Sequence, residues 1–225
     1  MRIAEIFHSV QGEGGLTGTP SVFVRTTGCN LRCVFCDTPY TSWEPEGEQI
    51  AWQSVRDKVL GYDCRHAVLT GGEPLLQPEL VPLTQALHDA GLHITIETAG
   101  TVYRPVHADL MSVSPKLSNS TPEAGLWQSR HEQARDNEQI ASKLFDDFSC
   151  QLKFVVDKPT DLAEVDAYVA RFPKVSADHV WLMPQGITVE ELKPKEPWIK
   201  QAAADRGYHV SRRLHIELFG NTRGT

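Results

Sequence analysis

Residues 28–38 read Gly-Cys-Asn-Leu-Arg-Cys-Val-Phe-Cys-Asp-Thr, which sets three cysteines in a C-x3-C-x2-C spacing. The stretch directly follows an apolar run at 20–25 that predicts a buried strand. A loop of this length can wrap three thiolates around one inorganic cluster, and iron–sulfur clusters are held by cysteine thiolates. Three cysteines leave one iron of a cubane open for a substrate or cofactor. The spacing therefore indicates a [4Fe–4S] cluster held by Cys29, Cys33 and Cys36.

Two simpler interpretations of these cysteines carry less weight. Buried structural cysteines rarely form a spaced triplet. A zinc site would need a fourth ligand from Cys64, Cys150 or a histidine, and the neighbouring motifs do not supply one. A zinc-stabilised binding module stays open as the non-enzymatic alternative. Metal analysis separates the two, because a cluster is brown and rich in iron whereas zinc is colourless.

Composition and charge describe an ordinary globular chain. It has 225 residues, 40% of them hydrophobic and 23% charged. Its 22 Lys and Arg against 29 Asp and Glu give a net charge of −7, which argues against nucleic acid as the main partner. No apolar run approaches the roughly 18–20 residues of a membrane span, and residues 1–5 lack a signal-peptide pattern. With an odd cysteine count, these features predict a cytoplasmic protein without a membrane partner.

Apolar runs alternate with amphipathic stretches along most of the chain. This alternation is typical of βαβ units, which build a parallel sheet. Roughly six such strands make an incomplete barrel or an open doubly wound sheet. The predicted fold class is α/β with a mostly parallel sheet, and the strands are expected at 20–25, 66–70, 93–98, 110–113, 151–156 and 179–183.

Helical periodicity fills the intervals between these strands. Apolar positions share a face within 52–59, 80–90 and 162–172. Glycines just after the first two patterns favour a helix end there.

Two stretches depart from this regular alternation. Residues 188–206 have helical character, but Pro194 and Pro197 must break or delay the helix. The polar segment 119–149 modifies the helical layer, and 128–147 is expected to form one solvated helix. No repeat or linker is visible, so residues 1–225 are expected to form a single domain.

The cysteine spacing, with Phe35 before the third cysteine, resembles the signature of the radical S-adenosylmethionine (SAM) superfamily. The resemblance implies a partial (β/α)6 barrel. It also implies that SAM chelates the fourth iron and that one electron from the cluster cleaves SAM to a 5′-deoxyadenosyl radical. The cofactor carries this chemistry, and the protein positions it.

Later motifs support that resemblance because they follow predicted strands, where barrel active sites lie. A Gly-Gly-Glu-Pro motif at 71–74 contacts the SAM amino group in radical SAM proteins. Ser-Pro-Lys at 114–116 and the glutamine of Met-Pro-Gln-Gly at 183–186 follow two further strands. The resemblance thus assigns SAM contacts to Phe35, Cys36, Asp37, Gly72, Glu73, Ser114, Pro115, Lys116 and Gln185.

Two further features narrow the resemblance. Gln-Gly-Glu-Gly at 11–14 precedes the cysteines, and Cys-Asp-Thr at 36–38 ends their motif. With Glu-Thr-Ala-Gly-Thr at 97–101, the chain resembles the 7-carboxy-7-deazaguanine synthase family, from the pathway to queuosine and other 7-deazapurines. That resemblance implies the conversion of 6-carboxy-5,6,7,8-tetrahydropterin to 7-carboxy-7-deazaguanine, with loss of ammonia and with SAM regenerated.

The same resemblance implies a substrate site and a magnesium site. Arg25 can offer a planar fork to a carboxylate, and Gln11 and Glu13 can pair with the pterin edge. Mg²⁺ binds the substrate carboxylate in this family, with Thr38 as its protein ligand, in keeping with the preference of Mg²⁺ for oxygen. The substrate contacts are assigned to Val10, Gln11, Gly12, Glu13, Arg25 and Thr70.

The resemblance also implies partners and leaves one enzyme alternative. The partners are an electron donor such as flavodoxin and, in a homodimer, a second copy of the chain. A glycyl-radical-enzyme activase shares the cysteine motif and the small size but acts on a protein backbone. Incubation with SAM, reductant and the carboxypterin distinguishes the two enzymes.

Overall fold

The computed structural model describes all residues from Met1 to Thr225 and contains nine strands and nine α-helices. The strands are β1 (Arg2–Val10), β2 (Pro20–Thr26), β3 (Glu48–Gln49), β4 (His66–Gly71), β5 (His93–Thr98), β6 (Leu110–Val113), β7 (Cys150–Val156), β8 (Val180–Pro184) and β9 (His209–Val210). The helices are α1 (Pro39–Ser42), α2 (Trp52–Leu60), α3 (Leu80–Asp89), α4 (Leu126–Arg135), α5 (Glu138–Asp147), α6 (Leu162–Ala170), α7 (Val189–Leu192), α8 (Glu196–Arg206) and α9 (Leu214–Phe219).

One sheet joins all the strands in the order β3-β1-β2-β4-β5-β6-β7-β8-β9. From β2 to β9 every neighbouring pair is parallel, whereas β1 runs antiparallel to β2 and to β3. All six predicted strands are present, with ends that differ by one residue at most. The predicted α/β fold with a mostly parallel, unclosed barrel is confirmed.

Strand β1 was not predicted from the sequence. Its nine residues bury Ile3, Phe7 and Ser9, while the register with β2 shifts between Ile3 and Glu5. A register shift moves side chains from one face to the other, so the alternation that marks a half-buried strand is interrupted. The buried serine weakens the pattern further.

Helices α2, α3 and α6 confirm the predicted patterns, because each buries its apolar face on the sheet. Val55 and Val59 of α2 are fully buried, as are Leu83 and Leu87 of α3, within a core of 32 hydrophobic residues. Gly91 follows α3 with φ of +78°, a conformation that side chains with a Cβ rarely adopt.

The two prolines act as the sequence predicts. Helix α7 ends before Pro194, and α8 begins at Glu196 with Pro197 in its first turn, where a missing N–H costs no hydrogen bond.

The prediction of one solvated helix at 128–147 is wrong. The segment forms α4 and α5, separated at Asp136 and Asn137. The Asn137 side chain accepts a hydrogen bond from the backbone N–H of Ile140 at 3.1 Å, which caps α5 and ends helical continuity. His131, Ala141 and Leu144 are fully buried, so both helices pack on the protein. A few buried positions in a polar stretch produce too weak a periodicity to reveal this.

The carboxyl ends of the parallel strands meet at one edge of the barrel. The cysteine loop follows β2, the Gly-Gly-Glu-Pro turn follows β4, and the Ser-Pro-Lys turn follows β6. None of the helices combines the length and apolarity that a membrane crossing requires.

Candidate active site

A cavity of about 470 Å³ opens at this edge of the barrel. Its size lies within the roughly 300–1,000 Å³ of small-molecule sites. The structure brings nearly all the predicted site residues to its wall, with Glu73 and Pro115 as the exceptions. Those at the wall are Val10, Gln11, Gly12, Glu13, Arg25, Cys29, Cys33, Phe35, Cys36, Asp37, Thr38, Thr70, Gly72, Ser114, Lys116 and Gln185.

Cys29, Cys33 and Cys36 are free, partly exposed, and all three line the cavity. Burial raises the pKa of Cys29 to about 12 and that of Cys33 to about 11. Such thiols ionise only when a cationic centre compensates the buried negative charge. A donor set of three soft sulfurs with that requirement fits an iron–sulfur cluster.

The structure offers no comparable support for zinc. No three His, Cys, Asp or Glu side chains converge tightly enough to hold a single metal ion. A structural zinc site needs four ligands at about 2.0–2.3 Å from one point.

The Gly-Gly-Glu-Pro turn is joined to the start of the cysteine loop. The backbone N–H of Glu73 donates to the carbonyl of Gly28 at 2.9 Å. A Cβ on Gly72 would come within 2.3 Å of that same carbonyl oxygen, so only glycine permits this approach. The turn therefore holds the loop that carries the cysteines.

The side chain of Glu73 is fully buried and does not line the cavity. It accepts hydrogen bonds from Thr98 Oγ1 at 2.8 Å and from the backbone N–H groups of Leu75 and Ala99 at 3.1 and 2.9 Å. Burial raises the pKa of Glu73, although these donors oppose the rise. Its side chain thus shapes the turn, and the predicted contact of Glu73 with SAM stays a prediction.

Glu73→Gln is expected to lower the free energy of unfolding by about 1–3 kcal/mol, the usual cost of a buried donor left without an acceptor. The new amide NH2 would face N–H and O–H donors. Denaturant unfolding measures the change. Glu190→Gln is the control, since Glu190 is exposed and makes no hydrogen bond. Equal stability of both variants would contradict the structural role.

Two further polar side chains line the cavity, on the loops after β6 and β8. Lys116 Nζ lies 2.8 Å from Ser114 Oγ and 2.9 Å from the carbonyl of the same residue. Gln185 is held by Lys195 Nζ, which donates to its side-chain oxygen at 3.0 Å. Both positions are suited to polar groups of a bound cofactor.

A buried chain of charges forms the floor of the cavity. Lys153 Nζ lies 2.5 Å from a carboxylate oxygen of Glu13 and 2.9 Å from one of Glu97. Gln11 Nε2 donates to the other oxygen of Glu97 at 3.2 Å. The buried positive charge of Lys153 is compensated because two carboxylates flank it. The floor therefore presents fixed hydrogen-bond donors and acceptors together.

The chain of charges continues to the C-terminal segment. Arg213 Nε lies 3.1 Å from Glu13, and its Nη2 pairs with Asp37 beside the third cysteine. Despite burial, the positive charges of Lys153 and Arg213 hold the pKa of Glu13 well below its usual range. The imidazole of His215 stands 4.0 Å from Glu13.

Arg25 lies on β2 and also lines the cavity. Its Nε is 2.7 Å from Glu5 Oε1, the same oxygen to which Tyr40 O–H donates at 2.7 Å. Both Nη groups make no hydrogen bond within the protein, so they are available to a carboxylate. Thr38 Oγ1 lies 3.9 Å from the sulfur of Cys36, at the cavity wall.

Residues 23–116 match the model of the radical SAM superfamily. A 7-carboxy-7-deazaguanine synthase of Rhodopirellula baltica is 47% identical over 99% of this chain and 88% of its own length. One of Halobacterium salinarum is 43% identical over 99% of this chain and 92% of its own length. This chain belongs to the 7-carboxy-7-deazaguanine synthase family. As a radical SAM enzyme, it uses a [4Fe–4S] cluster and SAM.

The fold agrees with a solved structure. The crystal structure of QueE from Escherichia coli matches 95% of this chain and 94% of that chain, with a TM-score of 0.68 and 24% identity. At this identity the match concerns the fold.

Sequence reasoning missed several cavity residues of this synthase-family chain. Lys153, Arg213 and His215 line the cavity, as do residues of the C-terminal segment from Gly220 to Thr225. Lys153 had a usable signal, since a lysine interrupts the apolar run of β7. Arg213 and His215 had none, because only the fold brings α9 against the loop at Gly12, whose carbonyl accepts the Leu214 N–H at 2.9 Å.

Proposed function

We propose that this chain converts 6-carboxy-5,6,7,8-tetrahydropterin to 7-carboxy-7-deazaguanine. The reaction contracts the six-membered ring and releases one ammonia, with no net oxidation, so SAM is regenerated. The observation that carries the proposal is that three free cysteines and the Glu13–Lys153–Glu97 charge cluster line one cavity. The proposal assigns the reaction to residues 1–225 acting as one domain around a single sheet.

Cys29, Cys33 and Cys36 would hold the cluster, which supplies the electron that cleaves SAM. The carboxyl-end loops would hold SAM itself. Lys116 and Ser114 offer a cation and a hydroxyl to its polar groups, while Gly72 lets this turn lie against the start of the cysteine loop. Phe35, Cys36, Asp37 and Gln185 complete this wall.

The floor and Arg25 would bind the substrate. Glu13 remains a carboxylate and can accept hydrogen bonds from the aminopyrimidine face of a pterin. Arg25 lines the same cavity, its Nη groups make no hydrogen bond within the protein, and it can pair with the substrate carboxylate. These contacts would orient the ring so that the C6 hydrogen faces the radical source, a positioning effect.

Anaerobic turnover tests the function directly. The protein, SAM, reductant and the carboxypterin are incubated, and product mass and ultraviolet spectrum are read. The control substrate is the tetrahydropterin without the 6-carboxylate, which should not turn over. A cluster-loaded protein that forms no product, yet installs a radical on a glycyl-radical enzyme, would favour the activase alternative.

We further propose that Thr38 contributes one oxygen to a Mg²⁺ ion bound mainly by the substrate carboxylate and water. Thr38→Ala should keep the cluster and SAM cleavage, yet lower ring contraction and weaken its response to Mg²⁺. The effect of Thr38→Ser on ring contraction should be small, because the hydroxyl oxygen remains. Product formation against Mg²⁺ concentration measures this. An unchanged Mg²⁺ response in Thr38→Ala would remove Thr38 from the metal site.

The proposal includes an electron donor such as flavodoxin, a homodimer and a cytoplasmic location. One-electron reduction of a cluster requires a carrier of matching chemistry. All five cysteines are free, in keeping with a reducing compartment. Light scattering of the purified protein tests the dimer.

A further inference from the structure

We propose that His131 is a positioning residue for the cluster loop and that α4 clamps the loop around Cys33. The inference rests on the proposed role of the three cysteines as cluster ligands. It concerns a segment, residues 118–135, for which the sequence indicated no role.

The loop between β2 and α1 has no regular secondary structure of its own. Its backbone around Cys33 is fixed from both sides by the 118–135 segment. The N–H of Arg32 donates to His131 Nδ1 at 3.1 Å, and the N–H of Val34 donates to the Ser120 carbonyl at 3.0 Å. The residues before and after the middle cysteine are thus both tied to this segment.

The network defines the tautomer of His131. A backbone N–H can only donate, so Nδ1 must accept and Nε2 must carry the proton. Nε2 then donates to Ser120 Oγ at 2.9 Å, and Ser120 Oγ donates to the Leu117 carbonyl at 2.6 Å. The ring is fully buried, and burial lowers its pKa to about 4, so it stays neutral. Both ring nitrogens are therefore engaged, Nδ1 with the cysteine loop and Nε2 with Ser120.

A second contact from α4 holds the side chain of Arg32. Its guanidinium lies 4.0 Å from the ring centre of Trp127 and donates to the carbonyls of Cys29 and Leu31 at 2.8 and 2.7 Å. The cation–π contact and these bonds keep a positive charge beside the first cysteine. Positive charge there stabilises an anionic cluster, since three thiolates add negative charge.

His131 touches no cysteine, so its effect passes through its two partners, the backbone N–H of Arg32 and the side chain of Ser120, which neighbours the Cys33 thiol. Without His131, a partly buried N–H next to Cys33 loses its acceptor, and the loop gains freedom between two cluster ligands. Water would then reach the cluster more readily, and the more negative reduced form would be favoured, which raises the midpoint potential.

The experiment compares cluster-loaded parent protein with His131→Ala, His131→Asn and Leu144→Ala under anaerobic conditions. Asparagine keeps an acceptor near the position of Nδ1. Leu144 is fully buried on α5 and controls for general destabilisation of this region. The measurements are iron and sulfide per chain, the rate of iron release to a chelator, and the midpoint potential from a redox titration followed by electron paramagnetic resonance.

His131→Ala is expected to release iron about tenfold faster than the parent and to show a higher midpoint potential. His131→Asn should recover part of both, and Leu144→Ala should match the parent. The inference is overturned if His131→Ala behaves like the parent or if Leu144→Ala loses iron equally fast. A parent protein that holds no cluster would instead overturn the proposed cluster site, and this inference with it.

Discussion

Replacing any one of Cys29, Cys33 or Cys36 with alanine is expected to abolish both the [4Fe–4S] absorption and reductive SAM cleavage. A cluster with three protein ligands has no spare thiolate, and neither of the other two cysteines lines the cavity. Iron content, the visible spectrum and release of 5′-deoxyadenosine measure the loss.

Cys64→Ala and Cys150→Ala are the matched controls. Cys64 Sγ lies near the carbonyl oxygens of Pro20 and His66, and burial raises the pKa of Cys150 to about 12 with no cationic group nearby. Both thiols behave as packing groups, so both variants should keep the cluster. Loss of the cluster in Cys64→Ala together with its retention in Cys29→Ala would show that the ligands were assigned wrongly.

Lys153→Met is expected to lower the free energy of unfolding by about 3–5 kcal/mol at neutral pH and to abolish substrate binding. The lysine is buried between Glu13 and Glu97, and removing one member of a buried ion pair leaves uncompensated charge. The remaining carboxylates would also repel the substrate carboxylate. Denaturant unfolding and a substrate titration measure the two effects.

The pH dependence distinguishes lost charge from lost packing. In the variant, Glu13 and Glu97 lose the cation between them and repel each other. Acidification neutralises buried carboxylates, so the penalty should be largest at neutral pH and should shrink as the pH falls. The parent should behave oppositely, because the depressed pKa of Glu13 contributes stability above about pH 4 that is lost on acidification.

A double variant gives the decisive comparison. Adding Glu97→Gln to Lys153→Met removes one uncompensated buried charge and should recover part of the lost stability. If the double variant is no more stable than Lys153→Met, the cost comes from packing around the lysine stem, and the charge network is not the cause.

Local pattern was sufficient to predict the centre of the fold. Six parallel strands and three flanking helices carry apolar runs and 3.6-residue periodicity that reflect burial on the sheet, so they were found within a residue or two. Strand β1 and the α4–α5 pair were not predicted. A register shift interrupts the alternation of buried residues in β1, and few residues of α4 and α5 are buried, so neither segment shows a clear period. The cavity residues that follow strands were predictable because parallel strands deliver their carboxyl ends to one edge.

By itself, the sequence determined the three cysteines, the glycine-rich turn and the α/β class, because chemistry and close backbone approach demand particular residues at particular spacings. Only the tertiary structure decided how distant charges pair. It set Lys153 between Glu13 and Glu97, turned Glu73 inward, and carried Arg213 to Asp37 across 176 positions of the chain. It also placed His131 behind the cluster loop. These contacts depend on packing between elements far apart in the chain, so local residue patterns cannot predict which side chains meet.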